Sequence, residues 1–526
     1  MKPVRRLEDF EEGEVGDHLS IHSGDERLPI WVLIRQTLEI LLPTDVSSIL
    51  WMSSQAVTMM FVGHHLGAIG ISQYSAGLLV FNVMAMSVVS GLGSAIDTLG
   101  SQAFGQDPRS PMVGETLQRA LILNLVLWVI MSIFFVNSKH VMLLAFGDIV
   151  GEGAARFLAY CPPYFMAQAI SGTFSKTLFA QRLPGVVVSA NGAAALTSPI
   201  ANYFLTPRGI EGAALSLACT VGLCAATNVL FSIFHPKAII REAQWPSPAL
   251  RRKDEWITFM SVGIPSLIAV CAEWWAFEVQ AFFTITISPF ALAVFGVSMN
   301  IVSLMFSLAL GVSVSASVII GNALGARRPR FAAQYARFII ICDIVLCACT
   351  ATLMGCFGGH IARLYTNVPE VASAVESAMP LVILCHVGDS LQFCLQGIFR
   401  GAGRPKQAAH GVLFTLWLVG MPASALYVFV FGWGVNGVLG GLLTGFVFEI
   451  PLLYFMTSQW DWNTLAEEAQ TRIIGHEMIV LEDASASDRE NTDITTPPED
   501  AFELKAIAVP TMDAVVKCRN VFVDAG

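Results

Sequence analysis

Apolar runs of span length, separated by short polar breaks, fill most of positions 30–457. A helix of about twenty apolar residues crosses the ~30 Å hydrocarbon layer of a bilayer. Twelve such runs stand out, near 30–62, 70–97, 117–138, 155–178, 186–205, 210–234, 257–287, 290–318, 331–357, 376–400, 408–430 and 434–457. The pattern predicts an all-α polytopic membrane protein with twelve transmembrane helices and the bilayer as its main solvent.

Composition agrees. Hydrophobic residues make up 54% of the chain and charged residues only 13%, and the mean hydropathy is +0.63. The net charge of −10 belongs to the ends: residues 1–29 carry a net −4 and residues 461–526 a net −9, which leaves a mildly basic +3 between them. The overall acidity therefore says nothing about the charge of a ligand. Both tails, 1–29 and 458–526, read as disordered, the second most clearly at Thr495-Thr496-Pro497-Pro498-Glu499-Asp500. No cleavable signal peptide is evident in the polar, acidic first 29 residues.

Basic residues orient the spans. The loops after even-numbered spans carry Arg109, Lys176, Arg182, Arg251, Arg252, Lys253, Arg327, Arg328, Arg400, Arg404 and Lys406, whereas those after odd-numbered spans carry only Lys139, Arg156, Arg208 and Arg363. The bias places both termini in the cytoplasm. Plasma membrane and vacuolar or other internal membranes fit equally well. The 11 cysteines fall mostly on spans and show no ligand spacing, so they read as small packing residues and no metal site is expected.

The chain repeats itself. Gly91–Gln106 aligns with Gly311–Ala326 at a shift of 220, Gly209–Ala214 with Gly434–Leu439 at 225, and Pro43 with Pro265 at similar depth. Six spans per repeat is an even number, so both halves share one topology and are related by a pseudo-twofold axis along the membrane normal. The expected lobes are 30–234 and 257–457, joined by a cytoplasmic linker at 235–256. A small-molecule site between such lobes, near the midplane and worked by alternating access, follows from the architecture.

Charge inside the apolar runs marks candidate chemistry. A charged side chain at mid-bilayer costs at least about 2.5–3.5 kcal/mol. The seventh span holds Glu273 near its centre and Glu278 nearer its outer end, about 140° apart around the helix. The tenth span holds Asp389, with His386 three residues earlier on the same face. Glu273 and Asp389 belong to one lobe, and two carboxylates in a low-dielectric cavity oppose each other's ionisation, which suits the binding and release of a proton. Asp45, two residues after Pro43, has no acidic counterpart in the repeat, where Leu267 falls, and is a candidate proton site for the first lobe. Gln55, Asn82, Asn191 and Asn202 offer hydrogen bonds to a ligand or between helices. Trp274, Trp275 and Phe277 are candidates to stack on a cationic or aromatic substrate. Asp97, Arg400 and Arg404 read as structural residues at the cytoplasmic ends, and Glu39 and Glu449 as inner-interface residues without an assigned role.

Several stretches resemble the multidrug and toxic compound extrusion (MATE) transporters. Ala95–Gly105 (AIDTLGSQAFG) is similar to that family's helix-two signature, as is Gly321–Ala326 (GNALGA) at the end of helix eight. Gln396–Arg404 (QGIFRGAGR) looks like its helix-ten exit, and Glu273–Glu278 (EWWAFE) like helix seven of its eukaryotic branch. The resemblance covers nearly all of 30–457. It implies two six-helix lobes and cation-driven antiport of drugs or metabolites. One departure stands out: where prokaryotic members place an Asp before a helix-five Pro, this chain has Ser198-Pro199. Coupling is therefore expected in the second lobe, through Glu273 and Asp389, with protons preferred and Na⁺ the alternative ion.

The expected function is a monomeric, secondary active antiporter that exports organic cations or other small molecules in exchange for protons. The alternatives are an antiporter of another 6+6 class, such as the major facilitators, or a lipid flippase. An enzyme is not expected: no nucleophile arrangement, metal cluster or phosphate-binding loop is present, and no cofactor or nucleic-acid partner is implied.

Overall fold

Gly67 decides how the first two helices meet. Its backbone, at φ 67° and ψ −163°, breaks a continuous helical run without an intervening loop, and glycine adopts this left-handed region at little steric cost. α1 (Ile30–Gly67) and α2 (Ile69–Gln106) result. The computed structural model describes residues 27–473 apart from 239, 241, 242 and 366–368. The tail expectations for 1–26 and 474–526 lie outside the described residues.

The remaining helices are α3 (Met112–Val136), α4 in two pieces (Lys139–Ala159 and Pro162–Ala180), α5 (Pro184–Leu205) and α6 (Ile210–Phe234). The second half repeats the order with α7 (Lys253–Ile287), α8 (Pro289–Gly325), α9 (Pro329–Tyr365), α10 (Pro369–Gly401), α11 (Pro405–Val430) and α12 (Gly434–Ser458). Among the described residues ten helices are long and apolar enough to cross a membrane unaided. α4, interrupted at Gly147 and Tyr160-Cys161, and the Ala/Ser-rich α5 complete the two sets of six. Several helices outrun their apolar stretches, α7 beginning at Lys253 and α8 ending at Gly325. Hydropathy falls where the chain meets the interface, but the backbone hydrogen bonds continue until a Pro or Gly ends them.

The repeat becomes a physical twofold at the crossing of α2 and α8. Gly105 lies on the Asn322 backbone carbonyl, and Gly325 lies on the Gln102 carbonyl. These are the same contact made twice, since each residue is 220 positions from its equivalent. Side chains reinforce it: Asn322 donates to the Ser101 carbonyl at 2.8 Å, and Gln102 donates to the Gly401 carbonyl at 3.0 Å. A Cβ on either glycine would collide with main chain, which cannot move aside as a side chain can.

Each lobe also carries its own version of one polar contact. Asn202 on α5 donates to Thr58 on α1 at 3.0 Å, and Gln280 on α7 donates to Ser424 on α11 at 2.8 Å. Thr58 and Gln280 are related by a shift of 222, as are Asn202 and Ser424. Ser47–Asn191 and Ser54–Ser198 extend the ladder between α1 and α5.

Two segments outside the spans are held by specific contacts. The linker at 235–256 is tied to α3: the Ser247 amide donates to Gln118 at 2.9 Å, its hydroxyl donates to Glu115 at 2.8 Å, and buried Arg119 pairs with Glu255 at 3.1 Å. The first part of the segment from residue 458 that is expected to be disordered is ordered. Residues 462–473 form a helix, α13, that buries Leu465, Ala469 and Ile473. Leu465 and Ala469 join the core formed by the ends of α8, α9 and α10, while Ile473 joins a cluster with Ala95, Leu99 and Met112. A mostly polar composition concealed a three-to-four-residue apolar stripe at 465, 469 and 473, enough to dock a short helix. Its N-cap is Asp461, whose carboxylate accepts from the Asn463 amide at 3.0 Å and the Thr464 hydroxyl at 2.9 Å.

Gly105→Ala and Gly325→Ala should each destabilise the protein by about 1–3 kcal/mol through overpacking, read as a lower melting midpoint in detergent. Gly172→Ala and Gly222→Ala, where no atom lies within 4 Å of the new Cβ, should leave it unchanged. The hydrogen bonds at Asp461 hold its carboxyl below the usual carboxylate range. A depressed native pKa means the cap is at full strength at neutral pH and is lost as pH falls through that lower value. Asp461→Ala should therefore make hydrogen exchange in 462–473 faster at neutral pH and remove its acid-dependent rise.

Candidate functional site

The polar face of α10 organises the interior of the second lobe. Asp389, Gln392, Gln396 and Arg400 recur every three or four residues, which places them along one side of a helix, and all four are buried. Opposite them Glu273 on α7 is 2% exposed. The Gln392 side-chain amide donates to Glu273 Oε1 at 2.9 Å and to Asp389 Oδ1 at 3.3 Å. One amide nitrogen, with two hydrogens, thus bridges both carboxylates. Gln396 donates to Glu273 Oε2 at 3.1 Å and also to the Gln392 carbonyl.

The nearest cation on the stripe is committed elsewhere. Arg400 donates to Ser313 on α8 at 2.6 Å, lies 5.1 Å from the Phe393 ring centroid, and has Asp97 Oδ2 at 3.9 Å. Lys176 on α4 pairs with the same Asp97 oxygen at 2.7 Å. Asp97, Lys176 and Arg400 therefore tie the two halves together, as expected for structural groups. Glu273 and Asp389 are left with amide partners. Two buried carboxylates this close, without a paired cation, are stable only if protons or a bound cation balance their charge.

Two further acids face the same interior. Glu449 on α12 is fully buried, accepts from the Thr415 hydroxyl at 3.1 Å, and leaves its second oxygen without a partner. Its carboxylate lies within electrostatic reach of Glu273 and Asp389. Its position near the end of the twelfth apolar run suggests the inner interface, but packing of α12 against α10 and α11 buries it completely. Asp343 on α9 is also fully buried and accepts from Ser390, the residue after Asp389, at 2.8 Å. The sequence reading passed over it, although an acid inside the apolar run 338–354 carries the signal that marked Glu273. Gln392 and Gln396 were legible only as neighbours of Asp389 at helical spacing.

Other candidates part company with this cluster. His386 is buried, with its Nε2 2.8 Å from the Thr350 hydroxyl on α9 and its Nδ1 without a hydrogen-bond partner. Glu278 is half-buried and joins none of the hydrogen bonds around Glu273. Asn202 cannot serve a ligand. Its nitrogen donates to Thr58 and to the Ser198 carbonyl, and its oxygen accepts from Thr206 at 2.8 Å and Ser216 at 2.7 Å. Asn191 is likewise spent between Ser47 and Cys224. Gln55 donates weakly to Tyr164 at 3.4 Å and keeps its carbonyl oxygen unpartnered, so it retains capacity for a ligand. Asn82 is half-buried where α2 widens into a π turn over Asn82–Met86. Trp275 crosses to the other half, donating to the Val83 carbonyl at 3.2 Å, while Trp274 is half-buried beside it. Asp45 lies away from every other acid, against Gly311 of α8.

Asn202→Ala should lower stability by about 1–3 kcal/mol, since it leaves buried donors and acceptors on three helices unsatisfied. The expected readout is a lower melting midpoint in detergent, with the same set of bound ligands as the parent.

Known proteins account for this arrangement. The MatE family model matches residues 43–204 and again 265–426, two copies 222 residues apart that together cover more than half of the chain. The chain is 27% identical to multidrug and toxin extrusion protein 2 of Oryctolagus cuniculus over 439 residues, covering 81% of this chain and 71% of the relative. It is 28% identical to protein DETOXIFICATION 16 of Arabidopsis thaliana over 473 residues, 89% and 96% of the two chains. The crystal structure of the eukaryotic MATE transporter AtDTX14 superposes with a TM-score of 0.76 at 22% identity, over 84% of this chain and 99% of that one. An outward-facing MATE family transporter of the MOP superfamily gives 0.74 at 15% identity, over 84% and 99%. A major facilitator architecture is thereby set aside. With its two matched repeats and twelve-helix, two-lobe fold, the chain belongs to the MatE family of membrane transporters.

Proposed function

We propose that this transporter is a proton-coupled antiporter that exports organic cations or a range of drug-like molecules and metabolites, with Glu273 and Asp389 as its coupling pair. The observation that carries this reading is the sharing of the Gln392 amide nitrogen by both carboxylates, with no basic side chain among the described residues in an ion pair with either and Arg400 acting on Glu273 only at longer range. A proton and a cationic substrate then compete for the same negative charge. Proton binding displaces the substrate on the side where protons are abundant, and proton release restores the charge that recruits the next substrate. Gln392 and Gln396 keep the carboxylates oriented in both protonation states, because an amide donates to an ionised acid and accepts from a neutral one. The names of the relatives, multidrug and toxin extrusion and DETOXIFICATION, support an export role.

The same reading covers the remaining expectations: lobes at 30–234 and 257–457 joined by 235–256, both termini in the cytoplasm, a plasma or internal membrane location, action as a monomer, and transport rather than catalysis. Gln55, Trp274 and Trp275 remain its substrate contacts, and Glu278 an outer-cavity contact. Glu449 joins the acids of the central cavity.

Proteoliposomes with pH and Na⁺ gradients imposed separately test the proposal. A pH gradient alone should drive transport of a fluorescent cation. Glu273→Gln and Asp389→Asn should each reduce that transport at least about tenfold, the loss of roughly 1.4 kcal/mol or more of coupling, in protein whose melting midpoint matches the parent. Gln392→Leu should weaken it less, since the charges remain but their bridge is gone. Full activity in Glu273→Gln, or transport driven only by Na⁺, would overturn the assignment.

A further inference from the structure

The twofold that relates the lobes also relates two seams between them, and the seams differ in one residue. On one side Gly91 of α2 packs on Leu267 of α7, where a Cβ would fall 2.6 Å from the Leu267 Cα. On the other, Gly311 of α8 packs on Asp45 of α1, where a Cβ would overlap the carboxylate. Gly91 and Gly311 are equivalent in the repeat, and the two family matches begin at 43 and 265, which makes Asp45 and Leu267 equivalent as well. An apolar contact on one side is thus an acid on the other.

Asp45 is 6% exposed, and its Oδ1 has no side-chain hydrogen-bond partner. It lies on the main chain of Gly311, whose backbone N–H is the one group there that favours the ionised acid. Among the described residues the elements packed around it bring no countercharge. α5 and α8 contain no Asp, Glu, Lys, Arg or His. On α1 itself Arg35 and Glu39 pair with each other at 2.9 Å and remain about half exposed. From α9 the Tyr335 hydroxyl meets Thr37, two turns along α1 from Asp45, and from the turn before α5 Arg182 donates to Asn322 at 2.7 Å.

We infer that Asp45 is a second proton-binding site, set in the α1–α8 seam, which holds a proton while the seam is closed and releases it when the seam opens to water. An ionised carboxylate in the closed seam would be buried with no cation beside it, a cost that a neutral acid avoids. Opening lets water reach the group, where an aspartate ionises at neutral pH. Closing this seam therefore takes up a proton, and closing its Leu267 counterpart does not. Only glycine at 311 leaves room for the acid. The inference is independent of which ion or substrate Glu273 and Asp389 bind.

Hydrogen exchange of the full chain in lipid nanodiscs, corrected for the intrinsic pH dependence of exchange, reads the seam directly. Peptides spanning 38–48 and 305–315 should lose protection severalfold as pH rises from about 5 to about 8, across the range in which a buried acid gives up its proton. Asp45→Asn, which mimics the neutral acid, should keep both peptides protected at every pH. Asp45→Leu, the residue of the twofold counterpart, should do the same and serves if the asparagine variant fails to fold. Gly311→Ala should leave the seam poorly protected at every pH. A parental pH response in folded Asp45→Asn or Asp45→Leu would overturn the inference. So would a flat response in the parent.

Discussion

Close approach of two backbones at the α2–α8 crossing sets the geometry on which the rest of this transporter depends. Inside a bilayer, apolar side chains gain little by leaving lipid for protein, so helices associate through tight packing and internal hydrogen bonds. Gly105 and Gly325 supply the packing, each lying on a carbonyl of the opposite helix. Asn322 and Gln102 supply the hydrogen bonds, and Thr98 adds one to the Arg400 carbonyl at 2.6 Å. Because the contact is reciprocal, it is also the point about which the lobes are symmetric. α13 reaches the same place: Gln470 donates to the Gly325 carbonyl at 2.6 Å, and Arg472 donates to Gln102 at 3.2 Å.

On that symmetric frame the two lobes spend their polar residues differently. The first lobe uses hydroxyls and amides, joined in the α1–α5 ladder from Ser47 to Asn202, to hold helices together. The second keeps a single rung of that ladder, Gln280 to Ser424, and buries the acids Glu273, Asp343, Asp389 and Glu449. Buried acids without a paired cation are therefore concentrated in one lobe. Of the buried acids in the first lobe, Glu115 lies beside Arg119 on α3, and Asp45 faces the seam instead of that lobe's interior. The substitution of Ser198 before Pro199 fits this division, since its hydroxyl donates to the Ser54 carbonyl at 3.1 Å.

How far the sequence carried depended on the kind of signal. Spans were legible from hydropathy because a bilayer imposes one length and one polarity on every helix that crosses it. Glu273 and Asp389 were legible because an acid in an apolar run is costly wherever the helix points. Their common donor, Gln392, was not: a glutamine is cheap enough in a span that its presence alone carries no weight. α13 was missed for a related reason, since three apolar residues in a polar tail become a helix face only once there is a surface to receive them.

Asn202 and Glu449 mark the boundary between the two kinds of knowledge. The sequence by itself determined the twelve spans and their duplication, through hydropathy and internal repetition. It singled out Glu273 and Asp389 through the cost of charge in hydrocarbon, and pointed to the family through the resemblance of its motifs. Only the tertiary structure decided that Asn202 is saturated by three helices, that His386 meets Thr350, that Glu449 faces the central acids, and that Asp45 lies between the lobes. The physical reason is that a polar group in a membrane becomes glue or site according to whether its lone pairs and hydrogens are already taken. The partners that take them come from helices far away in the chain, at separations no local pattern records.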